Sequence, residues 1–460
     1  MSGSEESSLG QAVPDLQILR EVKTHFEEDL LGLPGVRGVG IGYKQVGGRD
    51  TSQLAVVVLV ECKVKSSQLA PHRRVPERLT FTAPATGREV TVVTDVQESP
   101  RMVPAVHVPA FDPQLNGRLR PSPGGVSIGT SSASGTLGGW AVDGMSGQYV
   151  FLSNRHVIGS TSGTLVGQPL LTTTENRFGT VLRGSSNFDA AIGEPFSGAD
   201  VNPEIYANGP AIYELVQATL GMEVEKTGKT TGHTEGRVTL IDVTPADQGC
   251  RFRHSFGIVP TATTGLGFVQ QGDSGSIIVE RTHPSGLIWK RVVGLVFCTT
   301  ADGSLAYAHE ITDVFADLNL ITVCEALAEL IDLIFLPATA AGVSGRGFAR
   351  DVERRLSRGQ VGHEVVETLK AHRVDMTKVI LNGDGRRALE AALSPLLSGV
   401  VVTDDLLDRV ISDEDSRRFS RLLDVAERVI PDQPRVLARA REILGRTRHQ
   451  PLRSVLLDAE

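Results

Sequence analysis

The sequence predicts a multidomain chain: an all-β double barrel at the centre, a compact α/β unit before it and a helical domain after it. Three observations predict this. Between about Gly124 and Val323, short apolar runs alternate with Gly-, Ser- and Thr-rich turns, and no long helical period intervenes. Ahead of that region, one amphipathic stretch and three strand-like runs fall within about 80 residues. Beyond it, apolar residues recur every three or four positions between charges of both signs, the mark of helices with one buried face. The boundaries that follow are 1–103 for the α/β unit, 104–123 for a linker, 124–323 for the barrels and 324–460 for the helical domain.

Taken in order, Leu16, Leu19, Val22, Phe26 and Leu30 share one helical face from about Asp15 to Leu31, and Gly32-Leu33-Pro34-Gly35 ends that helix. Strands are expected over Val36 to Tyr43, Leu54 to Val60 and Glu89 to Val96. The glycine-rich run Gly35-Val36-Arg37-Gly38-Val39-Gly40 invites comparison with a nucleotide-binding turn. Its glycines precede a strand, however, whereas the dinucleotide fingerprint follows a strand and opens a helix, so that reading is rejected. Pro104, Pro109, Pro113, Pro121 and Pro123 mark an extended linker. About 200 residues then suit two small six-stranded barrels. In the last part, helices are expected over Phe348 to Leu356, His363 to Leu369, Arg386 to Leu397 and Ser416 to Val429, with Ser412 before Asp413, Glu414 and Asp415 as a start signal and Pro431 as a stop.

Composition narrows the function classes. The chain has 460 residues, 40% hydrophobic and 22% charged, with 54 acidic against 46 basic side chains. A mild acidic excess spread along the chain argues against a nucleic-acid binder, which concentrates positive charge on one surface. The polar start, Ser4-Glu5-Glu6-Ser7-Ser8, lacks the basic and apolar regions of a secretory signal, and the most apolar stretch, Ala326 to Val343, contains Glu329 and Asp332. A cytoplasmic protein without membrane contact is expected. Cys62, Cys250, Cys298 and Cys324 are too scattered for a zinc cluster or a dense disulfide frame, so reduced thiols are expected, with Cys298 a small buried hydrophobe. No metal and no cofactor is anticipated.

One constellation carries chemistry. Attack by a serine hydroxyl at neutral pH requires a base, an acid that orients the base, and donors for the oxyanion. His156 ends the apolar run Leu152-Ser153-Asn154-Arg155-His156-Val157, where a turn presents it to a cleft. Asp189 opens Phe188-Asp189-Ala190-Ala191-Ile192, and Ser274 lies in Gly272-Asp273-Ser274-Gly275-Ser276. Each alone has a plain structural reading: a satisfied surface histidine, a turn cap, an ordinary loop. Together, in this order and 33 and 85 residues apart within one β-rich segment, they point to a triad.

These stretches, with Gly135-Thr136-Leu137-Gly138, Lys226-Thr227-Gly228-Lys229-Thr230-Thr231-Gly232 and Gly294-Leu295-Val296-Phe297, resemble the chymotrypsin/trypsin superfamily. Within it they are most similar to bacterial relatives of the plant narrow-leaf peptidase family, and Gly38-Val39-Gly40-Ile41-Gly42-Tyr43 and Val56-Val57-Val58 resemble that branch's leading domain. The resemblance spans roughly residues 30 to 325. It implies a chymotrypsin-like double β-barrel, His156 as general base, Asp189 as its orienting acid and Ser274 as nucleophile. It also implies that the amides of Gly272 and Ser274 form the oxyanion hole. Val296 to Thr299 would be the strand on which a substrate pairs, Phe268, Gln271, Phe297 and Thr299 would contribute to the substrate pocket, and Lys226 to Gly232 would be structural, Thr231 and His233 included.

Departures from the family pattern carry information too. Asn154-Arg155-His156-Val157 lacks the disulfide common beside the base, and Phe297-Cys298 replaces the usual Ser-Trp pair. Phe268 stands near the pocket floor where trypsin-type enzymes carry Asp, so a small or medium apolar substrate side chain is expected rather than a basic one. No activation cleavage site precedes the barrels, because Arg120 is followed by Pro121; Asp273 is therefore expected to find an internal partner, or a neighbouring domain or partner to complete the pocket. Elsewhere, His363-Glu364-Val365-Val366-Glu367 lacks the second histidine of a zinc helix, Asn382-Gly383-Asp384-Gly385 is turn chemistry, and Arg435 to Arg453 reads as a solvated helical face. The expectation is an intracellular serine endopeptidase acting on protein or peptide, with regulation through its flanking domains, a protein partner on the helical domain and, by analogy, homo-oligomers. The competing reading is a trypsin-fold recognition or scaffold module that hydrolyses little.

Overall fold

The computed structural model describes residues 16–82, 87–104, 112–197, 200–210, 214–247, 249–261, 267–282 and 290–322, and in the C-terminal part 354–356, 358–371, 385, 387–389, 391–393, 406–429 and 433–457. The opening helix α1 (Leu16–Leu31) is followed by β1 (Val36–Val46), β2 (Arg49–Val60), β3 (Arg78–Thr82), β4 (Glu89–Glu98) and β5 (Met102–Pro104). After α2 (Pro113–Asn116) come β6 (Ser122–Gly124), β7 (Ser127–Gly129), β8 (Ser134–Thr136), β9 (Gly139–Asp143), β10 (Tyr149–Ser153) and the one-turn helix α3 (Arg155–Ile158). Then follow β11 (Leu165–Gly167), β12 (Arg177–Gly184), β13 (Ala191–Pro195), β14 (Val201–Ile205), β15 (Gly209–Pro210) and β16 (Glu214–Leu215). The last strands are β17 (Glu223–Gly228), β18 (Gly232–Pro245), β19 (Ser255–Pro260), β20 (Ile277–Glu280), β21 (Arg291–Thr300) and β22 (Ala306–Glu310), with α4 (Ile311–Asp317) and β23 (Leu320–Ile321) behind them.

Two β units hold the centre. Strands β17-β20-β21-β22-β19-β18 form a ring, and pairing of β17 with β18 closes it into a six-stranded barrel. The second sheet, β23-β9-β10-β13-β12-β11-β7-β8, curls without closing among the described residues. The architecture is thus a closed six-stranded barrel plus a half-barrel, consistent with a chymotrypsin-like double barrel. The half-barrel core gathers Trp140, Phe151 and Phe178, all fully buried, with rings meeting edge-on or tilted and the Trp140 indole N–H donating to the Ser122 carbonyl at 2.8 Å.

The N-terminal unit does not stand apart. β18 is long enough to serve two neighbours: its first half pairs with β17, its second half with β1 (Ile41 opposite Ile241). The order β1-β2-β4-β3 therefore extends the barrel sheet, with β2 and β4 parallel and α1 packed on one face through Leu19, Val22 and Leu30. Buried Lys23 and Glu27 of α1 pair with each other and reach Thr244 of β18. β3 was not expected; only Leu79 and Phe81 of its five residues are apolar, which is a weak strand signal. The expected linker, 104–123, begins at the last residue of β5, contains α2 and ends within β6, and Leu115 of α2 is buried.

In the C-terminal part, α5 (Gln360–Ala371), α6 (Asp413–Val429), α7 (Pro434–Thr447) and α8 (Leu452–Leu456) are helical. Ser412 caps α6: its hydroxyl accepts from the Asp415 amide while the Asp415 carboxylate accepts from the Ser412 amide. Arg439 pairs with Glu364, Arg441 with Asp424 and Glu427, and Arg448 with Asp413, so these arginines are bound to acids of the same region. Within the expected helix over Arg386 to Leu397, residues 387–389 and 391–393 are helical; the rest of it, most of that over Phe348 to Leu356, the turn at Asn382, and Pro431 lie outside the described residues. No helix among the described residues is long and apolar enough to cross a membrane.

One cysteine expectation is overturned. Cys250 and Cys298 form a disulfide, with Cα atoms 6.1 Å apart. They are 48 residues apart in sequence, and both sit fully buried in the cluster that Phe297 and Tyr307 share. Cys298 is buried but not free, so the expectation of reduced thiols is corrected for Cys250 and Cys298; Cys62 is an exposed free thiol. Trp140→Ala should lower the free energy of unfolding by about 3–5 kcal/mol, because it leaves a large cavity and an unpaired Ser122 carbonyl; urea denaturation measures this.

Candidate active site

The antiparallel β10–β13 ladder sets Ser153 opposite Ala191, which brings the end of one strand beside the start of the other. The chain leaves β10 into α3, which carries His156; it enters β13 from a turn in which the Ser185 hydroxyl accepts from the amides of Asn187 and Phe188, and Asp189 follows. The two side chains meet there. His156 Nδ1 bonds to Asp189 Oδ2, and the His156 amide donates to Oδ1 at 3.0 Å, so both carboxylate oxygens hold the same residue. Burial opposes ionisation of Asp189, yet the His156 hydrogen bonds outweigh it and leave the carboxyl below the ordinary aspartate range. The Asn154 amide group adds a bond to the Asp189 carbonyl.

Ser274 comes from the closed barrel. Gly275 N donates to Val296 O at 3.0 Å and Val296 N to Ser276 O at 3.0 Å, which fixes the serine turn against β21. The half-barrel grips the same turn through β8: the Thr136 amide donates to Ser274 O at 2.8 Å and the Thr136 hydroxyl to Gly272 O at 2.9 Å. The flanking glycines are required here. Gly272 and Gly275 have φ of +101° and +93°, and a Cβ would lie 2.3 Å from Thr230 Oγ1 at the first and 2.3 Å from Thr136 O at the second. Ser274 is buried, and among the described residues His156 Nε2 is a buried nitrogen without a hydrogen-bond partner, so the histidine and serine are not yet hydrogen-bonded to each other.

Asp273 finds internal partners. It is fully buried; Oδ1 accepts from the amides of Thr230 (2.9 Å) and Thr231 (3.2 Å), and Oδ2 from the Gln270 amide (3.0 Å), the Thr231 hydroxyl (2.7 Å) and the Lys226 ammonium (3.3 Å). Burial pulls the Lys226 pKa below its ordinary value, and Asp273 opposes that pull. The Lys226–Gly232 stretch therefore does more than shape a strand: it supplies a cation and two amides to the residue beside Ser274. Thr231, expected only to pack, is one of these donors. His233 faces Glu225 instead, at 3.3 Å.

The expected pocket residues fall in different places. Thr299 is buried at the β21 edge, and the Gln271 carbonyl accepts from the Thr230 hydroxyl. Phe268 is enclosed in the barrel core beneath Lys226, and Phe297 is buried against a histidine, so neither ring presents surface to a ligand. A cleft of about 440 Å³ does open beside His156, lined by Thr130, Ser132, Ala133 and Leu171 among others.

The histidine under Phe297 is His309, which the sequence reading missed. It is fully buried, stacked on Phe297 at 4.0 Å between ring centres, and its Nε2 accepts the Asp189 amide at 3.1 Å. Burial pushes its pKa down to about 3, so it stays a neutral acceptor. Its only sequence signal was a histidine within an otherwise apolar strand, Ala306-Tyr307-Ala308-His309. Glu225, His233 and Glu235 approach one another closely enough to share a cation, but Glu225 already binds Asn208 and Lys290, and Glu235 binds Arg281.

No family model matches the chain, and no curated protein matches it. Among solved structures, the chain is similar to Nocardiopsis protease NAPase (19% identity, 44% of this chain and 97% of that one, TM-score 0.32). It is similar to Thermobifida fusca Protease A (20%, 44% and 98%, TM-score 0.34) and to a glutamic acid specific serine protease that uses a histidine triad in substrate binding (15%, 44% and 100%, TM-score 0.33).

Lys226→Met should cost about 3–5 kcal/mol in denaturant unfolding, because it leaves the Asp273 carboxylate buried without its cation. His309 provides a pH test. It is neutral when folded and protonates below about pH 6.5 when unfolded, so its contribution is complete above pH 6.5 and is lost as the pH falls towards 3. His309→Gln keeps an acceptor and removes the titration. The stability difference between wild type and H309Q should therefore shift by about 2 kcal/mol between pH 7 and pH 5, against the wild type at the lower pH.

Proposed function

We propose that the chain is a serine endopeptidase that cleaves peptide bonds through His156, Asp189 and Ser274. The observation that carries this reading is the two-point grip of Asp189 on His156, through Nδ1 and the backbone amide, with Nε2 left buried and without a bond partner. An Asp189 bound in this way selects the tautomer with the proton on Nδ1 and leaves Nε2 as the base. A hydrogen bond from the Ser274 hydroxyl to Nε2 would complete the relay, since catalytic hydrogen bonds tighten when substrate binds. Ser274 Oγ then attacks the scissile carbonyl as its proton passes to His156 Nε2. The tetrahedral oxyanion meets the amides of Gly272 and Ser274, and collapse returns the proton to the leaving amine and yields an acyl-enzyme. Water deprotonated by His156 releases the acid product and restores Ser274.

The internal ligation of Asp273 supports a serine turn that needs no freed amino terminus for its shape. The resemblance to bacterial relatives of the plant narrow-leaf peptidases, carried by the motifs around His156 and Ser274, by Gly135–Gly138, Lys226–Gly232 and Gly294–Phe297, and by the leading strands Gly38–Tyr43 and Val56–Val58, supports the same reading. The absent His156–Ser274 hydrogen bond favours the second reading, a barrel that binds peptides and hydrolyses little. A fluorophosphonate probe separates the two. Wild-type protein should label at Ser274, Ser274→Ala not at all, and His156→Ala more slowly by about 10⁴-fold. A folded wild type that resists the probe would establish the binding module instead.

A further inference from the structure

The edge of β21 on the side of β20 has three occupants in succession. β20 pairs with it from Val292 to Leu295, the serine turn follows through Gly275 and Ser276 at Val296, and from Cys298 to Thr300 the partner is β5 of the N-terminal segment. The opposite edge is filled by β22 over the same stretch. A peptide attacked by Ser274 must lay the residues before its scissile bond where β5 now lies, because this is the sheet edge that leads to the nucleophile.

β5 also has a substrate's polarity and hydrogen-bond phase. It runs antiparallel to β21, with Met102 opposite Thr300, Val103 opposite Thr299 and Pro104 opposite Cys298, so the chain advances toward Ser274. The Ala301 amide donates to Arg101 O at 2.8 Å; since bonded pairs alternate along an antiparallel ladder, Val103 and Thr299 form the next bonded pair. Pro104, which has no N–H, stands at the position that needs none. The segment is firmly seated: Met102 is buried with Phe297, Cys298 and Tyr307, and its amide donates to Asp247 Oδ2 at 3.1 Å, a carboxylate that also takes Arg37.

We propose that Met102–Pro104 is a resident substrate mimic on this edge and determines which peptides reach Ser274: ligands that need no strand pairing enter freely, and extended peptides must displace β5. The proposal rests on the reading of Ser274 as the nucleophile. It makes the N-terminal unit a selector through main-chain competition, not through a side-chain pocket.

The test uses the full chain with Ser274→Ala, so that nothing is cleaved, and a fluorescent Met-Val-Pro-Ala peptide copied from residues 102–105. Val103→Pro removes the amide of the bonded pair, and Met102→Ser removes the buried anchor. Each should tighten peptide binding by about tenfold or more in fluorescence anisotropy, the factor by which a site filled nine-tenths of the time weakens an external ligand. Equal affinity with and without these changes, in folded proteins, overturns the proposal. Hydrogen exchange supplies a variant-free measure: the Thr299 amide should exchange faster than that of Val296, and equal protection would show a permanent seam and overturn it. Fluorophosphonate labelling is read separately; its absence in every variant removes the peptidase reading, while the binding result still decides who occupies the edge.

Discussion

The site depends on one buried carboxylate. Asp273 has no access to water, and a bare charge in that position would cost several kcal/mol. Three segments answer it: Lys226 from β17, the amides of Thr230 and Thr231 from the following turn, and Gln270 from the loop before the serine. Each donor fixes one wall of the serine turn, and Gly272 and Gly275 can then take backbone angles that other residues resist. Thr136 ties the result to the half-barrel, so Ser274 is held from both β units while His156 and Asp189 are held from one.

Two histidines share Asp189 and divide its bonding. His156 takes the carboxylate and is partly exposed to the cleft; His309 takes the backbone amide and is sealed beneath Phe297. The first is placed to exchange protons, whereas burial deprives the second of any charge near neutrality. Phe297 thus has a use of its own: its ring covers a neutral histidine that accepts from the Asp189 amide.

What was legible in the sequence was local. His156, Asp189 and Ser274 stand in short runs whose chemistry is visible without knowing what faces them, and α1 and the Ser412 cap follow from spacing within a few residues. What was not legible depends on register between distant strands. Cys250 and Cys298 meet only because their segments share one cluster, and Lys226 reaches Asp273 across 47 residues. β5 went unseen because three residues carry no period and its Pro104 opened the expected linker, and Phe268 was placed near a pocket by its distance from Ser274, although its ring turns into the core.

The extended sheet also orders events during synthesis. β1 finds its neighbour β18 with Ile41 opposite Ile241, and β5 meets β21 with Val103 opposite Thr299, so each waits for about 200 residues of later chain. At the usual pace of translation that interval is roughly 10–40 s. For that time the N-terminal strands emerge with an unpaired and largely apolar edge, the kind of surface that recruits other chains. A nascent chain of this protein must therefore be shielded, or collapse upon itself, before its own barrel exists to receive it.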